Sequence, residues 1–176
     1  MSFKEIPLTQ GKIAIVSEED YESVSRFKWY AHVYSRASNP IWYAQRGKRH
    51  GNFRETIMMH SFIAGYKSPD HVDGDGLNNQ RSNLRMATTA QNSMNKRSKN
   101  GSFSAFKGVS WSKFRSGRGK WRASIMVGGK AVNLGMYKDE EDAATAYNFA
   151  AYEHFGEFAR LNVPCANPNP VPEGKP

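Results

Sequence analysis

Residues 120–127 alternate between two kinds of side chain with a period of two, the period of an extended chain. The positions on one face are all apolar: Trp121, Ala123, Ile125 and Val127. The positions on the opposite face are Lys120, Arg122, Ser124 and Met126. The alternation predicts a strand of an antiparallel sheet that has one buried face and one basic face.

The flanking segments predict the rest of a small layered domain. Residues 107–113 and 131–137 predict two further strands, joined to the first by Gly-rich turns. A helix is predicted from Asp139 to Gly156, because acidic residues fill its first turn and small residues recur at helical spacing. The buried stripe of this helix is expected to comprise Ala143, Tyr147, Ala150, Ala151 and His154.

The N-terminal part of the chain predicts a mixture of short elements, so the expected fold class is α+β. Strands are predicted at 13–16, 29–34, 41–45 and 71–72. Helices are predicted at 18–26, 56–64 and 88–96. Ser17 is the predicted N-cap of the first helix, and residues 47–51 are a predicted turn. The tail from Pro164 is rich in proline and predicts an extended or disordered segment.

The charge of the chain is concentrated in one block. Lys and Arg total 25 against 16 Asp and Glu, a formal net charge of +9. The 63 residues of 76–138 contain 13 Lys or Arg and no acidic residue. This block favours a nucleic acid as partner, since Lys and Arg displace counterions condensed on phosphates. A solvated basic surface and an anionic membrane are the alternatives, and the many turns and aromatic residues of the block argue against the membrane.

Composition limits the class of protein. Apolar residues make up 39% of the 176 residues, which is enough to build a core. The single cysteine, Cys165, excludes an internal disulfide framework and a Cys-based zinc finger. No apolar run reaches the roughly 18 residues of a membrane span, and the first residues lack the apolar region of a secretory signal. The expectation is a soluble, cytoplasmic protein.

The stretch 68–85 is unusually rich in Asp, His and Asn. Asp70 and His71 are adjacent, Asn83 follows His71 by twelve residues, and Asn92 follows it by 21. A carboxylate and an amide oxygen suit a hard divalent cation such as Mg²⁺, and a neutral imidazole beside them can take a proton from water. Phosphodiester hydrolysis needs both a base and positive charge. The alternative is a polar loop whose Asn and Asp side chains bond their own backbone.

Three separated parts of this region resemble one known motif. They read Asp70-His71-Val-Asp-Gly-Asp-Gly-Leu-Asn-Asn, Ser82-Asn83-Leu84-Arg85 and Ala90-Gln91-Asn92. They are similar to the HNH motif of phage homing endonucleases, a ββα-metal unit, over about residues 57–97. The resemblance implies that His71 is the general base, that Asp70 and Asn92 bind one Mg²⁺ or Mn²⁺ ion, and that Asn83 orients or supports the active-site hairpin. The family's usual Asn before the base is Asp70 here, and His60 is expected to be structural.

A second resemblance covers about residues 105–163. Lys107-Gly-Val-Ser-Trp, Gly119-Lys-Trp-Arg-Ala-Ser-Ile and Gly156-Glu-Phe-Ala-Arg-Leu-Asn are similar to parts of an AP2 DNA-binding domain. That fold is a three-stranded antiparallel sheet packed on one helix. The resemblance implies that the exposed sheet face lies in the DNA major groove. The DNA-binding residues expected are Lys107, Trp111, Lys113, Arg115, Arg118, Lys120 and Arg122, whereas Trp121 is expected to pack in the core.

The two resemblances together predict a metal-dependent DNA endonuclease of the HNH homing type. The segments expected are a nuclease domain at 1–98, a linker at 99–104, an AP2-like domain at 105–163 and a tail at 164–176. Double-stranded DNA is the expected partner, with no small-molecule cofactor, no membrane, and a monomer or weak dimer as the assembly. Two alternatives stay open, a non-catalytic DNA-binding regulator with a decayed nuclease domain and an RNA-binding protein.

Overall fold

The computed structural model describes residues 2–34, 40–96, 103–114 and 117–162. The chain divides into two compact units, Met1–Asn92 and Ser93–Pro176. Arg115, most of the predicted linker and the predicted tail lie outside the described residues. Within the described ranges no helix is long and apolar enough to cross a membrane.

The first unit contains three small sheets and short helices. In chain order its elements are β1 (Phe3–Pro7), β2 (Ile13–Ser17), α1 (Glu18–Ser25), β3 (Tyr30–Val33), β4 (Trp42–His50), β5 (Phe53–Met58), α2 (Met59–Ala64), β6 (Asp70–His71), β7 (Asn78–Asn79), β8 (Leu84–Arg85) and α3 (Thr89–Met94), the last of which crosses the boundary between the units. The sheet orders are β1-β2-β7, β3-β4-β5 and β6-β8. All strand pairs are antiparallel except β2 with β7, which is parallel.

One apolar core holds these elements together. Its buried members are Ile6, Ala14, Val16, Val24, Trp29, Ala44, Met59 and Ile63. They come from β1, β2, α1, β4, α2 and the residue before β3, so sheets and helices share a single interior. The indole N–H of Trp29 donates to the carbonyl of Val24 at 2.9 Å, which satisfies the one polar atom of this side chain inside the core.

The second unit is a three-stranded antiparallel sheet covered by one helix. Its elements are β9 (Val109–Lys113), β10 (Gly119–Val127), β11 (Lys130–Tyr137) and α4 (Glu140–Phe155). Ala123 and Ile125 are buried on one face, whereas Lys120, Arg122 and Met126 are exposed on the other, so the predicted alternation is confirmed. Small side chains let α4 lie close to the sheet, and its buried apolar members are Ala143, Ala144, Tyr147, Ala150 and Ala151. The expectation for His154 was wrong, because this residue is exposed.

A buried amide network closes the second unit. The side chain of Asn148 on α4 exchanges two hydrogen bonds with the backbone of Asn162, at 3.0 and 2.7 Å. The side chain of Asn162 in turn bonds the backbone N–H and carbonyl of Lys107, at 2.7 and 3.0 Å. Ser104, within the predicted linker, is buried and donates to Glu140 at 2.6 Å. The end of the unit is therefore fixed to its helix and to the segment before β9.

Several local predictions in the first unit were wrong. Residues 56–64 were predicted as one helix, but β5 continues to Met58 and the helix begins at Met59. Gly47 was placed in a turn, but it lies within β4, where it pairs with Thr56 on β5. The guanidinium of Arg54 occupies the space of a Gly47 side chain, 2.6 Å from an ideal Cβ. Ser17 makes no capping hydrogen bond, because its hydroxyl accepts instead from the backbone N–H of Arg81 at 2.9 Å.

Candidate active site

The centre of the site is a two-stranded hairpin followed by a helix, formed by β6, β8 and α3. In this hairpin Asp70 lies directly opposite Arg85. The Nη2 and Nε atoms of Arg85 donate to Oδ2 of Asp70 at 2.7 and 2.9 Å. The side chain of Asp70 is only 9% exposed and that of Arg85 only 14%. Arg85 therefore holds the Asp70 carboxylate in one orientation while compensating the cost of burying its charge.

His71 is buried next to this ion pair, and its ring orientation is set by Asn79. Its Nε2 atom lies 3.3 Å from Oδ1 of Asn79. The amide of Asn79 is itself oriented, because its Nδ2 donates to the carbonyl of Leu77 at 3.1 Å. An amide oxygen can only accept, so the hydrogen bond requires a proton on Nε2 and leaves the lone pair on Nδ1.

The surroundings of His71 favour its neutral form. Burial lowers the pKa of His71, and this effect exceeds the opposing influence of Asn79 and of the nearby carboxylates of Asp73, Asp70 and Asp75. A neutral imidazole at physiological pH is the form that can accept a proton.

Asn83 fixes the loop between β6 and β8. Its Oδ1 accepts from the backbone N–H of Asp73 at 3.1 Å, and its Nδ2 donates to Oδ1 of Asp73 at 2.9 Å and to the carbonyl of Asn78 at 2.8 Å. The neighbouring residue Arg81 forms a two-point contact with the buried carboxylate of Asp20 on α1, at 2.8 and 2.9 Å. Asn83 therefore closes the loop on itself, and Arg81 ties the loop to α1.

Two aromatic side chains from the sheet and α2 form the wall beside His71. The ring centroids of Tyr43 and His60 lie 5.7 and 5.0 Å from that of His71. Burial, with a smaller contribution from His71, lowers the pKa of His60 to about 3. The Nδ1 atom of His60 is buried and has no hydrogen-bond partner among the described residues. Gly76 lies under Tyr43, where a Cβ would come within 2.6 Å of the ring, so this loop position has no room for a side chain.

Asn92 on α3 offers one unused oxygen. Its Nδ2 donates to the carbonyl of Ser68 at 3.2 Å, which connects the helix to the segment leading into β6. Its Oδ1 is buried and lacks a hydrogen-bond partner within the described part of the chain. An unsatisfied buried acceptor costs about 1–3 kcal/mol. In the same ranges no group of three or more His, Cys, Asp or Glu side chains is placed to hold a metal ion.

The predicted DNA-binding residues of the second unit do not share one surface. Lys120 and Arg122 are exposed together on the face opposite to the core. Trp111 pairs across the strands with Trp121, with ring centroids 5.0 Å apart, so it lies on the same side as the core. Trp111 is 39% exposed there, and its contact with DNA stays a prediction.

The remaining predicted cations differ in their surroundings. The Nζ of Lys107 donates to the carbonyl of Met94, and burial lowers the pKa of Lys107 to about 8. Lys113 and Arg118 are exposed near the turn that joins β9 to β10. Arg115 lies outside the described residues. Lys120 and Arg122 are therefore the two predicted cations that lie next to each other on the exposed face of the sheet.

Sequence reasoning missed several residues that surround His71. Tyr43 is 28 positions away in the chain, and no local pattern links it to the loop. Asn79 stands within the motif as quoted, but its neighbour Asn78 is the same residue type and only the strand register distinguishes them. Arg85 had a usable signal, since a cation two residues after Asn83 is a candidate partner for the nearby carboxylate.

This chain is similar to proteins of two viruses. An uncharacterized HNH endonuclease of Acanthamoeba polyphaga mimivirus is 33% identical over 153 residues, which are 87% of this chain and 76% of the relative. Protein 3.8 of Escherichia phage T7 is 37% identical over 92 residues, which are 52% of this chain and 73% of the relative. No protein-family model matches the chain, and no solved structure gives a significant match.

Proposed function

This chain belongs to the HNH endonuclease family, and we propose that it is a metal-dependent DNA endonuclease of the homing type. The observation that carries the proposal is the arrangement around His71. A buried neutral imidazole with a defined tautomer stands beside a carboxylate, in a loop that Asn83 holds at three points. This arrangement suits the removal of a proton from a water molecule that attacks a phosphodiester bond.

His71 acts as the general base through Nδ1. The hydrogen bond from its Nε2 to Asn79 fixes which nitrogen carries the lone pair. Tyr43 and His60 pack against the ring and keep it neutral and in place. Asn83 is a positioning residue, because its hydrogen bonds hold the loop that follows His71 and do not reach the ring.

Asp70 and Asn92 are the residues that would hold a divalent cation. Both offer oxygen atoms, the donor type that Mg²⁺ and Mn²⁺ prefer, and Mg²⁺ commonly uses only one or two protein ligands beside water and phosphate. The unpartnered Oδ1 of Asn92 supports this assignment, since a cation would compensate its burial. A cation bound there supplies positive charge that stabilises the transition state of phosphodiester hydrolysis. Arg85 fixes the carboxylate of Asp70 from the opposite strand.

The second unit is proposed to anchor the enzyme on DNA as an AP2-like domain. The exposed pair Lys120 and Arg122 on β10 supports this, because a sheet with one basic face and one covered face can be placed against a groove of duplex DNA. Tethering such a domain to the nuclease raises the local concentration of the nuclease near bound DNA.

A cleavage assay on duplex DNA with Mg²⁺ or Mn²⁺ tests the proposal. We expect the full-length protein to cut DNA, EDTA to stop the reaction, and His71→Ala to lower the rate about 10²–10⁴-fold while duplex affinity changes less than about twofold. The matched control is His154→Ala, which removes an exposed histidine. Asn92→Ala should lower activity in a way that additional metal partly restores. Asp70→Ala is a poorer probe, because it breaks the mostly buried ion pair with Arg85 and is expected to cost about 3–5 kcal/mol of stability.

Three results would contradict the proposal. If the wild type binds duplex DNA but cuts none of a broad set of DNAs with either metal, the protein is a DNA-binding regulator with a decayed nuclease domain. If duplex RNA competes better than duplex DNA, the partner is RNA. Full activity of His71→Ala would remove this residue from the role of base.

A further inference from the structure

The hairpin formed by β4 and β5 extends beyond the core of the first unit. The residues of β4 from Gly47 to His50 and those of β5 from Phe53 to Thr56 are all exposed. The strand pairing nevertheless continues to the tip, where His50 lies opposite Phe53. The distal half of the hairpin is therefore a two-stranded ribbon, and both of its faces are exposed to solvent.

The base of this ribbon is well anchored. Arg46 on β4 lies over the aromatic ring of Phe27, with its guanidinium carbon 3.9 Å from the ring centroid. On the other face Gln45 is buried and lies within hydrogen-bond distance of the hydroxyls of Tyr30 and Tyr34, at 3.2 and 3.3 Å. These contacts orient the exposed part of the ribbon with respect to the rest of the unit.

Two arginines occupy the same face of the ribbon without a compensating acid. Arg49 and Arg54 lie directly opposite each other on adjacent strands. Like charges at such a position are destabilising, and within the described residues neither forms an ion pair. The acid of the ribbon, Glu55, lies on the other face, where it contacts His50 at 3.2 Å. Both positive charges on this face are therefore available to an anion.

The face that carries these arginines leads to the candidate active site. Side chains alternate along a strand, so Tyr43, Gln45, Gly47 and Arg49 share one face of β4. Tyr43 contacts His71 at a centroid distance of 5.7 Å. From Tyr43 to Arg49 the strand rises about 20 Å at ~3.3 Å per residue, which corresponds to about six base pairs of duplex DNA. Gly47 leaves room for the guanidinium of Arg54 on this path.

We propose that Arg49 and Arg54 form a phosphate clamp, a pair that binds the backbone of duplex DNA about six base pairs from the bond cleaved at His71. The proposal rests on the proposed function, since it assigns the hairpin to the same substrate. Duplex DNA is the occupant that fits, because a two-stranded ribbon can enter the B-form major groove, whereas side chains cannot read the deep, narrow major groove of duplex RNA. Guanidinium groups also match phosphate geometry in a two-point contact.

The first test measures affinity without cleavage. Four full-length proteins are compared in EDTA, all carrying His71→Ala to prevent cleavage: this variant by itself, and the same variant with Arg49→Ala, with Arg54→Ala or with both. Each is titrated with duplex DNA at several salt concentrations. Each arginine removed should lower the slope of log K against log salt by about 0.9, and the pair by about 1.8. Lys48→Ala is the matched control, because it removes one charge from the same strand on the opposite face. It should leave affinity within twofold, whereas the double variant should weaken binding at least tenfold.

The second test locates the contact on the substrate. On a duplex whose cleaved bond has been mapped, one phosphate at a time is replaced by a neutral methylphosphonate. Replacing a phosphate about six base pairs from the cleaved bond should weaken binding by the protein that keeps both arginines. It should not weaken binding by the variant in which both arginines are alanine.

Each outcome has a defined meaning. Equal losses with Lys48→Ala and with Arg49→Ala, or no loss in the double variant, would overturn the clamp even if the wild type cuts DNA. A protein that cuts nothing but shows the predicted losses would keep Arg49 and Arg54 as a DNA contact and reject the nuclease. Losses seen with duplex RNA and not with duplex DNA would also overturn the clamp.

Discussion

Burial gives His71 a lower pKa than that of a histidine in solution. The charged imidazolium is disfavoured away from water, and ring contacts from Tyr43 and His60 replace much of that water. The pKa of His71 is therefore lowered, and the neutral ring persists to lower pH. Neutrality alone does not make a base effective, because the lone pair must also be on the nitrogen that meets the attacking water. That choice depends on the partner of the other nitrogen, which is Asn79.

Asn79→Leu should therefore change the tautomer of His71 and not only its surroundings. Leucine has nearly the shape of asparagine but no acceptor, so the Nε2–H form loses its preference. We expect a fall in kcat of about 10- to 100-fold with little change in KM, as for other partners that orient functional histidines. The ¹⁵N chemical shifts of His71, measured in metal-free protein, report the tautomer directly.

Asn79→Asp is the control, because it retains an oxygen acceptor at the same position. It should preserve the Nε2–H form in the ¹⁵N spectrum. Retention of that form in Asn79→Leu would show that another contact, and not Asn79, sets the tautomer.

The residues with distinctive chemistry were accessible from the sequence, but their supporting partners were not. Asp70, His71, Asn83 and Asn92 were singled out because these side chains are dense in one short stretch. Their roles as base, ligands and support remain predictions. The contact of Asn79 with His71 depends on pairing of β7 with β2, more than sixty residues earlier in the chain. No local pattern encodes that pairing.

At the level of elements, very short strands cannot be predicted from alternation, because they contain only one period of two residues. β6, β7 and β8 have two residues each, and tertiary contacts define them. The strand β1 was missed because its sequence, Phe-Lys-Glu-Ile-Pro, includes charges and proline and buries only Ile6. The segment 56–64 was assigned to one helix because its apolar residues fit either period, and the structure divides it between β5 and α2. The helix α4 was predicted within about two residues, whereas β4 extends five residues beyond the strand predicted at 41–45.

The helix α2 is expected to make the first unit sensitive to acid through His60. Burial lowers the pKa of His60 to about 3 in the folded protein, whereas the pKa of a histidine in an unfolded chain is about 6.5. Below about pH 6.5 the unfolded chain therefore binds a proton that the folded protein does not. Stability is complete above this pH and declines as the pH falls toward 3. The loss from this residue between pH 7 and pH 5 should be about 2 kcal/mol in urea unfolding.

Replacement of His60 by glutamine should reduce that dependence, since glutamine does not titrate. His50→Gln is the matched control, because His50 is exposed and contacts Glu55 on the surface hairpin. An unchanged difference between pH 7 and pH 5 in His60→Gln would locate the acid sensitivity elsewhere, with His71 as the next residue to test.

At the scale of the whole molecule, each compact unit has its own apolar interior. The alternation along β10 could be read from the sequence because a period of two is a local property that packing then preserves. The contacts that close the second unit could not, because Asn162 joins α4 to Lys107 across 55 positions of the chain. A fragment that ends before Asn162 would lose both hydrogen bonds between the side chain of Asn148 and the backbone of Asn162.

The fragment 104–162 retains this closing network and should fold on its own and bind duplex DNA. Its sheet and helix bury their apolar faces against each other, so an independent core is complete. Lys120→Ala with Arg122→Ala should lower the slope of log K against log salt by about 1.8. Lys130→Ala with Lys138→Ala is the matched control, since both residues are exposed and lie outside the basic face of β10. Cooperative urea unfolding checks the fold, and titration of a labelled duplex at several salt concentrations checks binding. An equal change of slope in the control pair would mean that net charge, and not this sheet face, binds the DNA.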